Sequence, residues 1–247
     1  MMRTTLDASD LDDLAAAIAA TRDAHASAFP GERPGRQPVH TLYVPADRVH
    51  AGTVAGIGAQ ARDLLDRHAA DPATLAAATG TDAALADAVH DRLRRKLASE
   101  PVEDLRVDFE DGYGRRGDDT EDADVVRAAR ALARMLDGGG APPFTGLRIK
   151  SFADGDQRRA LRTLDGFLST LLDAAGRLPA GFVVTFPKVV AAEHVAQFVE
   201  VLARLEAALG LPEAALSFEV QVETTQAIIA PDGRVALPAI VTAAGAG

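Results

Sequence analysis

Short apolar runs alternate along this chain with longer segments whose apolar positions recur at helical spacing. Residues 1–24 read as an amphipathic helix capped near Ser9, and 29–38 (FPGERPGRQP) as a proline- and glycine-rich connector. Val39–Val44 (VHTLYV), stopped by Pro45, predicts a first strand, and Ala51–Ala69 a helix through Val54, Ile57, Ala61, Leu64 and Leu65. Asp71–Ala98 predicts one or two alanine-rich helices broken near Gly80. From there the alternation is regular. Strands are expected at Leu105–Phe109, Gly146–Ser151, Phe182–Val189 and Leu216–Val222, with helices at Thr120–Leu136, Arg158–Ala175 and Glu193–Leu209 between them.

Helices of that length between short β-branched strands predict an α/β fold with a parallel sheet and crossover helices. The expected division is 1–37, a helix and connector, and 38–247, the β/α domain. Five strands, with a sixth near Val235–Val241, fall short of the eight of a closed barrel. The sheet is therefore expected to be open, or to be a barrel without its last third.

Charge narrows the function. A net charge of −10 with 4% aromatic residues leaves no basic face for nucleic acid or an anionic membrane. No apolar stretch reaches membrane-spanning length, and the acidic N-terminus is unlike a signal peptide, so a cytoplasmic location is expected. The absence of cysteine excludes disulfides, thiolate metal sites and cysteine nucleophiles. The histidines lack HExxH spacing, and no GxSxG elbow occurs.

What remains is chemistry at strand ends. Val102–Gly117 (VEDLRVDFEDGYGRRG) delivers Asp108, Glu110 and Asp111 to the end of a strand, where acids this close need a cation between them. Arg148 and Lys150 alternate on one face of GLRIKS, Lys188 follows Pro187 at the end of FVVTFPK, and Glu223 ends a run in which Glu219 and Gln221 share its side. An arginine clamping a carboxylate, aided by an ammonium, is one reading of such a set. Gly112–Gly117 (GYGRRG) also matches a dinucleotide loop, but the surrounding acids would oppose a pyrophosphate. A calcium loop fails on register.

Taken in order, TLYVPAD, VDFEDGYG, LRIK, FVVTFPKV and FEVQVET resemble the successive strand motifs of the HpcH/HpaI aldolase and citrate lyase β-subunit family, across roughly residues 39–225. The resemblance implies a TIM-type barrel that uses Mg²⁺ or Mn²⁺ to make or break a carbon–carbon bond beside a carbonyl. The substrate it implies is a 2-oxo acid, a hydroxy-acid or an acyl-CoA thioester. It also implies Glu223 as a metal ligand, Arg148 as the group that binds substrate and stabilises an enolate, and Lys188 as an aid to orientation. Glu110 and Asp111 would hold substrate or metal-bound water. The family's second metal aspartate has no counterpart, only Asp232 in PDGR. The expected protein is thus a metal-dependent lyase, alternatively a NADP-type oxidoreductase using GYGRRG or an inactive truncated paralogue; a homo-oligomer is left open.

Overall fold

A computed structural model describes residues 5–29, 31 and 35–245. The chain divides into two compact units, Met1–Gln37 and Pro38–Gly247. The first holds helix α1 (Ala8–Ala28), whose N-cap is Asp7, not Ser9: the Asp7 carboxylate accepts the Asp10 N–H at 2.9 Å. Alanines all round α1 leave Leu11, Leu14 and Ile18 without a distinct polar opposite face, and no residue of the helix is buried, which corrects the amphipathic reading. The connector read at 29–38 falls partly outside the described residues.

The second unit is α/β. Strands β1 (Thr41–Pro45), β2 (Asp104–Asp108), β3 (Phe144–Arg148), β4 (Phe182–Phe186) and β5 (Ser217–Val220) form an all-parallel sheet in chain order. Helices α2 (Thr53–His68), α3 (Pro72–Thr79) and α4 (Ala86–Ser99) join β1 to β2; α5 (Asp118–Asp137), α6 (Gln157–Ala175) and α7 (Ala192–Leu209) make the next three crossovers. The alanine-rich stretch breaks where its glycine stands. Gly80 ends α3 with φ 69°, a left-handed cap that costs a glycine little.

Alternation gives the sheet two unlike faces. Leu105, Val107, Phe109, Leu147, Ile149, Val184 and Phe186 form one buried cluster with Ala128 and Leu132 of α5, Leu164, Phe167 and Leu171 of α6, and Phe198 of α7. α6 shows why its segment is helical: Ala160, Thr163, Leu164, Phe167, Leu168 and Leu171 fall on one stripe and all are buried. Each large side chain so buried contributes roughly 1.5–3 kcal/mol before entropy is counted. The opposite face carries Tyr43, Asp104, Arg106, Asp108, Arg148, Thr185 and Glu219, set by the strand register.

The predicted sixth strand is not there. Val235 makes only an isolated antiparallel bridge to Ile229, and Leu237–Ala243 is helix α9, following the short helix α8 (Thr225–Ile228). Pro238 in the first turn of α9 explains the difference, because its fixed φ suits a helix start and its missing N–H would deprive a sheet.

Candidate functional site

Parallel register places Pro45, Asp108, Arg148, Thr185 and Glu219 in one row across the C-terminal ends of the strands. Asp108 and Arg148 are therefore neighbours by backbone pairing alone. The Asp108 carboxylate accepts Nε and Nη2 of Arg148 at 2.8 and 2.7 Å, a two-pronged charge-assisted pair. The same carboxylate accepts the N–H of Glu110 and of Gly112, each at 2.9 Å, and so folds the loop after β2 over the strand end. A Cβ at Gly112 would lie 2.5 Å from the Asp108 carboxylate. The first glycine of GYGRRG thus has a reason that needs no dinucleotide.

Glu110 and Asp111, turned back by that loop, meet Lys188. The Lys188 ammonium pairs with the Glu110 carboxylate and donates to Asp111 at 2.7 Å. Lys188 holds a left-handed backbone, φ 48°, and its N–H donates to Glu223 Oε1 at 2.9 Å. Such a conformation strains a residue with a Cβ and survives where its surroundings enforce it. Arg148 Nη1 lies 3.4 Å from Glu110 Oε2. All five residues read from the sequence (Glu110, Asp111, Arg148, Lys188 and Glu223) therefore share one mouth, four of them linked by alternating charge and Glu223 by the Lys188 N–H. Glu110 is buried; Asp111 and Glu223 are exposed.

One strand-end cation goes elsewhere. Lys150 does not join Arg148: its ammonium donates to the Phe109 carbonyl and to buried Glu121, both at 2.8 Å. β3 ends at Arg148, so the two-residue alternation that would have kept them on one face stops there. Glu121 also accepts from Thr163, tying α5 to α6. At the opposite, N-terminal end of the sheet, His40 accepts the Glu103 N–H at 3.3 Å, just before β2 begins.

Sequence reading missed the layer that supports Arg148. The Tyr43 ring lies under the guanidinium, 4.6 Å from centroid to carbon. Its hydroxyl donates to Glu219 Oε1 at 3.4 Å, which also accepts Thr185 Oγ1 at 2.6 Å. Burial raises the Tyr43 pKa most, with the Glu219 charge adding to it and the Thr185 hydrogen bond opposing. For Arg148, burial works against the charge, yet the Asp108 hydrogen bonds and charge, with Tyr43 and Asp111, leave its pKa raised overall. Arg106 pairs with Asp104 at 2.8 Å and reaches over Gly146 to the Val183 carbonyl at 3.0 Å. A Cβ at Gly146 would fall 1.8 Å from that carbonyl, so only glycine admits the crossing. The signal available was the alternation in TLYVP and DLRVD, which puts Tyr43, Asp104, Arg106 and Asp108 on one side.

The donors do not fit a resident divalent ion. Lys188 already neutralises Glu110 and Asp111, and Arg148 neutralises Asp108, so that among the described residues Glu223 is the mouth's carboxylate without a side-chain cation. Among the described residues no group of three or more His, Cys, Asp or Glu is gathered to hold a metal. Asp232 is engaged by Arg234 within its own turn. Two concavities, about 650 and 460 Å³, are lined by Phe182 and Ser217 and by Val102 and Pro143, at the N-terminal ends of the strands rather than at the mouth.

Fold and mouth together define an α/β domain with a parallel sheet whose strand ends gather paired acids and bases. Residues 18–247 match the family described as Domain of unknown function (DUF6986), and the chain belongs to it. A search of curated proteins found no match. Among the described residues no helix is long and apolar enough to cross a membrane.

Proposed function

We propose that this domain is a carbon–carbon lyase of the aldolase and citrate lyase kind, built on a TIM-type barrel and acting on a 2-oxo acid, a hydroxy-acid or an acyl-CoA thioester. The observation that carries the reading is the convergence of Arg148, Glu110, Lys188, Asp111 and Glu223 on one mouth. Strand order supports it too. The sheet runs in chain order without the reversal that opens a dinucleotide crevice in doubly wound folds. The order of strand motifs, from TLYVPAD to FEVQVET, supplies the resemblance.

Breaking a carbon–carbon bond beside a carbonyl leaves its electron pair on an enolate oxygen. Arg148 is suited to meet that charge. Asp108 holds its Nε and Nη2, so Nη1 is the edge left toward the mouth, where Glu110 now stands at 3.4 Å. A cation fixed before the reaction stabilises developing charge without reorganising. Lys188 orients Glu110 and Asp111, and these carboxylates position the substrate's polar groups. A Mg²⁺ or Mn²⁺ ion enters this reading only with the substrate, whose oxygens would supply the ligands that the described residues do not gather beside Glu223.

The test is proton exchange, which reports enolate formation whatever the second reactant is. Pyruvate and acetyl-CoA are incubated with the protein in D₂O, with Mg²⁺, Mn²⁺ or chelator, and methyl deuteration is followed by NMR. Exchange with either compound that disappears in Arg148→Ala is expected. No exchange with either under any condition overturns the proposal, and NADPH binding in that case would favour the oxidoreductase reading.

A further inference from the structure

The layer beneath Arg148 carries an assignment of its own. A guanidinium has two donor edges and two faces. Asp108 occupies the edge made by Nε and Nη2, and the Tyr43 ring covers one face at 4.6 Å. Tyr43 is itself tethered, because its hydroxyl bonds Glu219 Oε1, which Thr185 holds at 2.6 Å and which lies 3.5 Å from Arg106. The tether joins β1 to β4 and β5 across the polar face. Arg148 is thus clamped on one edge from β2 and on one face from β1, with Nη1 directed at the mouth, 3.4 Å from Glu110 Oε2.

We propose that Tyr43 is a positioning residue: its ring fixes the plane of the Arg148 guanidinium so that Nη1 addresses an anionic oxygen of a small dicarboxylate or enolate. This rests on the reading of Arg148 as the substrate-binding cation. The ring acts through its π face, which attracts a cation laid flat on it and resists rotation out of plane. Removing the ring leaves the Asp108 pair as a hinge about which the free edge can swing. The hydroxyl contributes less, since at 3.4 Å from Glu219 it is a long bond and Thr185 already satisfies that oxygen.

Oxalate, a planar dianion shaped like the enolate of pyruvate, is the probe. Its affinity is measured by calorimetry for the native chain, Tyr43→Phe, Tyr43→Leu and Arg148→Ala, and the Arg148 Nε–H signal is recorded by NMR in each folded sample. Tyr43→Phe is expected to bind as the native chain does, and Tyr43→Leu about two- to fivefold more weakly, the worth of a cation–π contact. The Arg148 Nε–H signal is expected to be shifted upfield by the ring current in the native chain and in Tyr43→Phe, and to move downfield in Tyr43→Leu. An unshifted signal in the native chain overturns the inference even if Tyr43→Leu fails to fold. So does a Tyr43→Leu chain with native affinity. If Arg148→Ala binds oxalate as well as the native chain, the substrate-binding role of Arg148 falls, while the Nε–H signal still decides whether Tyr43 fixes the guanidinium.

Discussion

Replacing Asp108 with asparagine strikes the joint on which the mouth turns. Asp108 is 1% exposed and accepts four hydrogen bonds, two from the Arg148 guanidinium and two from backbone N–H groups of the loop. The amide keeps one acceptor oxygen but turns an NH₂ toward either Gly112 N–H and Arg148 Nη2 or Glu110 N–H and Nε, so two donors face a third. Each charge-assisted bond contributes about 1.5–3 kcal/mol, and removing one partner of a buried pair costs roughly 3–5 kcal/mol because the other charge is left without compensation. Arg148 keeps a weak recourse in Glu110 at 3.4 Å, which places the expected loss toward the lower bound, about 3 kcal/mol. Urea unfolding followed by circular dichroism reads it as a lowered midpoint at unchanged slope. Adding Arg148→Met to Asp108→Asn should recover part of the loss, since the stranded charge is gone; the cycle isolates that coupling. A loss under about 1 kcal/mol for Asp108→Asn would refute the reasoning, as the pair would then be worth no more than a surface ion pair.

Two further outcomes follow from named strain and charge. Lys188→Gly should be more stable than Lys188→Ala by about 1 kcal/mol in thermal unfolding, because glycine adopts φ 48° without the penalty alanine retains; equal stability would mean that the left-handed backbone is relaxed in solution. Asp122 is held down to about 2 from a usual 3.8, chiefly by its hydrogen bond to Arg162 and then by Arg159. Its depressed pKa adds stability that is fully present above the usual value and is lost as pH falls from about 4 to 2, so Asp122→Asn should flatten the acid limb of a pH–stability curve there, modestly because the side chain is partly exposed.

The Arg148 site shows how a polar sheet face becomes functional ground. Parallel pairing alone sets Asp108 beside Arg148 and Arg106 beside Gly146, and the missing side chain at Gly146 lets Arg106 cross to β4. Helices cover the other face, so polar groups concentrate on this one, where they pair within a strand, as Arg106 with Asp104, or across strands, as Arg148 with Asp108 and Tyr43 with Glu219. Charge alternates around the mouth because the acids Glu110 and Asp111 come from the loop after β2 and Glu223 from the end of β5, with bases from the ends of β3 and β4 between them.

Local pattern determined much of this protein by itself. The two-residue period of LRVDF and FVVTF and the helical period of α5 to α7 were sufficient for the α/β class, since each period decides which side chains can share a buried face. The acids and bases at the strand ends were legible for the same reason: Glu110, Asp111, Arg148, Lys188 and Glu223 each follow an apolar run that had to be a strand. Tertiary structure alone decided which of them pair. Tyr43 lies 105 residues from Arg148 in the chain, by the difference of their numbers, and the two meet only because β1 and β3 flank β2. Lys150, two residues past Arg148, turns to Glu121 because the strand has ended, and Pro238 makes a helix where valines promised a strand. Such outcomes depend on competition among distant partners for one charge or one carbonyl, and no window of neighbouring residues contains that competition.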